Sequence, residues 1–158
     1  MKNKIYKLVP VLLAVIMALS LVACASEGGV QWQSFEFDNG DKVELSIDKN
    51  SGYLLEAGTP NLITKDGVTF FKCAFGEDAF YDMLKENIAD DGNVTIVEEK
   101  ERDDVQYLFY IVEGGEAPEY DIVAKISGTE TCALLASEDV LDEASLMDAF
   151  SALTFQAK

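Results

Sequence analysis

Beyond the first thirty positions, apolar and polar residues alternate in short runs set off by turn residues, the pattern of strands with one buried face. Residues 31–37 set Gln33, Phe35 and Phe37 against Trp32, Ser34 and Glu36, and residues 42–47 place Val43, Leu45 and Ile47 on one side. Asp38-Asn39-Gly40-Asp41 joins the two runs. Asn-Gly favours a tight hairpin there because both residues tolerate positive φ.

The Gly- and Pro-bearing residues 51–60 read as a loop, and residues 62–64 and 68–75 as strands about Asp66-Gly67. Residues 94–99 and 105–112 form a second hairpin around Glu101-Arg102-Asp103-Asp104. The run Val105-Gln106-Tyr107-Leu108-Phe109-Tyr110-Ile111-Val112 is apolar on both faces, which predicts a central strand covered from both sides. After the loop Gly114-Gly115-Glu116-Ala117-Pro118, residues 120–126 and 131–136 predict a third hairpin across Ser127-Gly128.

Two stretches change period. Over residues 79–88, Phe80, Tyr81, Met83, Leu84 and Ile88 fall on one side of a helix, with Glu77 and Asp78 complementing its dipole and Gly92 closing it. A second helix is expected from Ser137 as N-cap, with Glu138 and Asp139 in its first turn. Val140, Leu141, Ala144, Met147 and Phe150 form its stripe, and Leu153-Thr154-Phe155 closes the chain as a strand. The prediction is one α+β domain over residues 31–158, a mostly antiparallel sheet with two amphipathic helices.

The N-terminus follows a different logic. Lys2, Lys4 and Lys7 precede an uncharged apolar run from residue 8 to 20, the order of a secretory signal. Leu21-Val22-Ala23-Cys24 resembles the lipobox of bacterial lipoproteins: a branched apolar residue, a tolerant position, a small residue, then cysteine. The resemblance implies cleavage after residue 23 and diacylglycerol on the Cys24 thiol, a covalent lipid that is the only cofactor expected. Residues 24–30, rich in small and polar types, read as a flexible tether. An uncleaved membrane-spanning anchor is the alternative, because no residue from 8 to 26 is charged; Pro10 and the lipobox argue against it.

The order of elements from the residue 94 hairpin through residues 131–136, the second helix and Leu153-Thr154-Phe155 resembles the PsbP-like α/β/α sandwich. That resemblance covers residues 45–157. It implies an antiparallel sheet between helices, and an accessory, assembly or binding role rather than a set of catalytic residues.

Removal of residues 1–23 leaves 135 of 158 residues, one domain's worth. It takes three of 12 basic residues and none of 29 acidic ones, so the formal charge falls near −20. That balance repels nucleic acid and anionic head groups, and no nucleic-acid partner is expected. Cys73 and Cys132 remain as a pair in an exported domain, readable as a disulfide or as two buried thiols acting as small hydrophobes.

Histidine is absent, which removes Ser-His-Asp and Cys-His catalysis and the common zinc sites. The acidic pairs Asp90-Asp91, Glu98-Glu99 and Asp103-Asp104 fall at turns and strand ends, where charge is ordinarily solvated, and no loop has calcium-ligand spacing. No catalytic or metal-binding residue is therefore expected. Among the aromatic residues, Trp32, Tyr53 and Tyr120 stand near polar neighbours or loops and are the candidate binding surface. The expected protein is a lipid-anchored extracytoplasmic module of the cell envelope that binds a partner protein or small ligand. In a cell with two membranes, either the inner or the outer one is open to it. A hydrolase using paired carboxylates and a structural or chaperone-like module are the alternatives.

Overall fold

The computed structural model describes residues 26–27, 30–88, 92–115, 117–137 and 141–158. The expected signal, the lipobox and Cys24 lie outside these residues, as do Glu138, Asp139 and Val140. In chain order the elements are β1 (Ser26–Glu27), β2 (Val30–Glu36), β3 (Lys42–Asp48), a 3-10 turn over Lys49–Ser51, β4 (Leu54–Glu56), β5 (Asn61–Lys65) and β6 (Val68–Glu77). There follow helix α1 (Ala79–Ile88), β7 (Val94–Arg102), β8 (Val105–Val112), β9 (Glu119–Ile126), β10 (Thr131–Ser137), helix α2 (Glu143–Ser151) and β11 (Leu153–Ala157). The architecture is α+β.

Among the described residues all strand pairs are antiparallel and fall into two sheets. One has the order β1-β2-β3-β11 and the other β4-β5-β6-β10-β9-β8-β7. The three expected hairpins form as β2–β3, β7–β8 and β9–β10, and the two strands read about Asp66-Gly67 pair as β5–β6. At the β5–β6 turn Asp66 and Gly67 both have positive φ, 53° and 79°, the backbone that Asp-Gly tolerates in a two-residue hairpin. Within the expected tether, residues 26–27 pair with Val30 and Gln31 as an edge strand.

The main core lies between the sheets. Phe35, Val43, Leu45 and Ile47 of the smaller sheet meet Phe71, Phe75, Phe109, Ile122 and Leu135 of the larger, and α2 adds Leu146, Ala149 and Phe150. A smaller core on the opposite face of the larger sheet packs Tyr81 and Ile88 of α1 against Leu108, Tyr110, Val123 and Cys132. β8 thus has both faces covered, Tyr107 and Phe109 toward one core, Leu108 and Tyr110 toward the other. Met83, expected in the buried stripe of α1, is 41% exposed.

The second helix starts later than expected. Ser137 ends β10, and its Oγ accepts from the Tyr120 N–H at 3.1 Å instead of capping a helix. The N-cap is Asp142, whose carboxylate accepts from the Ser145 N–H and Oγ, both at 2.9 Å. The expected loop over residues 51–60 contains β4, which pairs with β5.

The structure decides between the two readings of the cysteines in favour of buried thiols. Cys73 stands opposite Leu135 and Cys132 opposite Gly76 across the β6–β10 ladder. Cys73 belongs to the core between the sheets and Cys132 to the core under α1, so the thiols point to opposite faces of one sheet and both are free. No disulfide joins them.

Candidate functional site

β3 ends at Asp48, whose carboxylate accepts from the Asn50 N–H at 2.9 Å and caps the short 3-10 turn. Gly52 ends that turn with φ of 82°, a conformation glycine adopts without strain. A Cβ there would lie 3.2 Å from Lys65 Cε, so the position is crowded as well as left-handed. This reversal turns Tyr53 into the protein, where it is 2% exposed.

Tyr53 is held from three sides. Its hydroxyl donates to Asp148 Oδ2 of α2 at 2.8 Å. Its ring meets Phe70 edge-on with centroids 5.1 Å apart, and Lys65 Nζ stands 4.3 Å from its centre. The Lys65 ammonium also donates to the Ser51 carbonyl at 3.3 Å. Burial, and after it the Asp148 hydrogen bond, raises the phenol well above its ordinary range, so it stays protonated and keeps donating.

Tyr53 and Asp148 both line two surface clefts. The first, about 360 Å³, is polar: Ser46, Asp48 and Ser51 close one side, Ser151, Ala152 and Thr154 the other. The second, about 540 Å³, is more apolar, with Val68, Phe70, Leu141 and Ala144 beside Lys65, Asp66 and Ser145. Both volumes lie within the roughly 300–1,000 Å³ of small-molecule sites.

No family model, curated protein or solved structure matches this chain. The site is therefore read from its own geometry.

Of the three aromatic residues singled out in the sequence, Tyr53 alone lines these clefts, and it is 2% exposed. Trp32 is half-buried on β2, on the face away from Gln33 and Phe35. Tyr120 is half-buried and stacks on Phe109 with centroids 5.9 Å apart, a core contact. The structure does not gather the three into one surface. Asp48 and Asp148 were missed: Asp148 lies 95 residues from its partner, and no spacing rule links them.

The carboxyl with the largest upward shift lies elsewhere. Asp121 on β9 is 3% exposed, accepts from the Ser137 N–H at 3.3 Å and bonds the Tyr110 hydroxyl. Burial, reinforced by Glu119, pushes it up to about 7. It lines neither cleft. Among the described residues no group of three or more Cys, Asp or Glu is placed to hold a metal, and no helix is long and apolar enough to cross a membrane.

Proposed function

We propose that the chain is exported, cut before Cys24 and held by lipid at the extracytoplasmic face of a membrane, where its domain is a non-catalytic binding module of the cell envelope. The lipobox Leu21-Val22-Ala23-Cys24 behind a lysine-led apolar run carries the reading. Each buried methylene of the lipid contributes about 0.8 kcal/mol, so two or more acyl chains anchor stably. The first strand begins at Ser26, two residues past Cys24, so the domain would sit within roughly 7 Å of chain from its anchor.

Binding is favoured over hydrolysis by the separation of parts. The polar cleft has two carboxylates, Asp48 and Asp148, while the strongly perturbed Asp121 sits at the other side of the larger sheet's core. The exposed large apolar side chains among the described residues, Leu54, Val68, Met83 and Val97, lie on four different elements, which disfavours a broad chaperone face. We extend the proposal to a PsbP-like arrangement, supported by helices on both sides of the seven-stranded sheet and by α2 running directly into Leu153-Thr154-Phe155.

Metabolic labelling with radioactive palmitate tests the anchor. The wild-type chain should take up label and fractionate with membranes. Cys24→Ser should remain an unlabelled precursor. A wild-type chain without label would overturn the proposal in favour of a spanning N-terminal segment.

A further inference from the structure

The polar cleft has an unusual distribution of protons. The Ser51 hydroxyl donates to the Asp48 carbonyl, the Ser151 hydroxyl to the Asp148 carbonyl at 2.7 Å, and the Tyr53 hydroxyl to Asp148 Oδ2. These three protons are spent within the protein, so their oxygens, together with Asp48 and Asp148, offer the cleft acceptors. The Ser46 and Thr154 hydroxyls, which also line it, can donate or accept. A ligand that fits brings donors for the carboxylates and exchanges hydrogen bonds with the two hydroxyls.

Strand register supplies a second component. Trp32 stands opposite Ser46 across β2–β3, and Ser46 stands opposite Thr154 across β3–β11. Directly paired residues share a face, so Trp32, Ser46 and Thr154 form one row on the outer side of the smaller sheet. Two members of that row line the cleft, and the half-buried indole stands one strand, roughly 5 Å, beyond Ser46. A recess of carboxylates and hydroxyls beside a flat apolar ring suits a molecule with O–H groups around its edge and C–H groups on its face.

We propose that this corner of the protein binds a carbohydrate. Adjacent hydroxyls of a pyranose ring donate to Asp48 and Asp148 in charge-assisted hydrogen bonds, and the ring's C–H face rests on Trp32. A phosphorylated ligand is disfavoured by the two carboxylates. A simple amine would satisfy the two carboxylates but leave the Ser46 and Thr154 hydroxyls unused, and the Lys65 ammonium already stands against the far side of Tyr53. The inference rests on the binding-module reading and names its ligand class.

Trp32 is the single tryptophan of the chain, so its fluorescence reports on this row without interference. The full lipidated chain in detergent micelles is titrated with maltotriose, cellotriose and the amino-sugar trimer chitotriose, and in parallel with cadaverine and inorganic phosphate. The expected result is a saturable change in emission with at least one trisaccharide. Asp48→Asn and Asp148→Asn, which keep the capping and Tyr53 contacts, should each weaken it at least tenfold with far-UV circular dichroism unchanged. Thr154→Arg, which fills the cleft from the strand face, should abolish it. The proposal is overturned if no trisaccharide saturates, if only cadaverine or phosphate does, or if all three variants bind as the wild type does. Failure here leaves the palmitate result untouched, so the two readings fall separately.

Discussion

The guanidinium of Arg102 lies over the ring of Phe150, 4.4 Å from its centre, and donates through Nη1 to that residue's carbonyl at 3.0 Å. Nη2 donates to the Leu153 carbonyl at 2.8 Å. One side chain at the end of β7 thus satisfies carbonyls at the close of α2 and the start of β11, where a helix leaves acceptors without partners. Nε faces Asp103 at 3.6 Å, an ion pair too long for a hydrogen bond. Arg102→Met should therefore cost about 2–3 kcal/mol, and Arg102→Lys should recover only part of it, because an ammonium cannot serve two carbonyls and stack. Urea denaturation at unchanged slope measures both. A loss under about 0.5 kcal/mol for the methionine variant would contradict the capping role.

Asp121 makes stability fall as pH rises. Its carboxyl sits at about 7 in the folded chain against an ordinary value of 3.8, so the folded state binds the proton more tightly than the unfolded one. The associated stabilisation is complete below about pH 4 and is lost as pH climbs through 7. Asp121→Asn removes the titration while keeping an acceptor for the Ser137 N–H. At pH 8 the variant should exceed the wild type by a few kcal/mol, on the order set by 1.4 kcal/mol per unit, and the gap should close toward pH 4. Glu98, held below its ordinary range by Lys100 and Tyr107, acts in the opposite sense in both proteins and cancels in the difference. A gap that is constant with pH would refute the assignment.

Cys73 and Cys132 should behave as two inert thiols. Burial pushes each up to about 12, with Asp78 adding to the effect at Cys132, so neither forms thiolate near neutrality. Maleimide should label them slowly in the native protein. Both should label promptly in 6 M guanidinium chloride before any reductant is added. A requirement for reductant would mean that a disulfide exists after all.

The elements that were legible in the sequence are those whose cause is local. Helix α1 has its bounds at residues 79 and 88 because its period is short-range, and the hairpins follow from Asn39-Gly40, Asp66-Gly67 and Ser127-Gly128. Ser137 misled because a hydroxyl able to cap a helix was used instead to bridge to β9. Alternation shows that one face of a strand is buried but not what covers it. The second sheet, built by returning β11 to pair Leu153 with Ile47, was therefore invisible. The same gap left the cysteines open between a disulfide and two buried thiols, since the relative faces of β6 and β10 depend on register. The Tyr53–Asp148 contact is of the same kind: two residues 95 apart meet only after both sheets have formed.

Asp41 supplies the last test, because it ties the two sheets together through a single oxygen. Its Oδ2 accepts from the Glu130 N–H at 2.8 Å, from the Thr131 hydroxyl at 2.7 Å and from Asn39 Nδ2 at 3.0 Å. Asp41 belongs to the β2–β3 turn of the smaller sheet, while Thr131 opens β10 of the larger and Glu130 directly precedes it. Thr131 is 2% exposed, so Asp41→Ala leaves its hydroxyl short of a partner in a place water does not reach, at a cost of about 1–3 kcal/mol. Thr131→Val removes the hydroxyl itself and should cost less. If the contact couples the sheets, the double variant should lose less than the two single losses combined, with an interaction of about 1 kcal/mol from denaturation midpoints. Strict additivity would mean that the sheets are held by the apolar core alone.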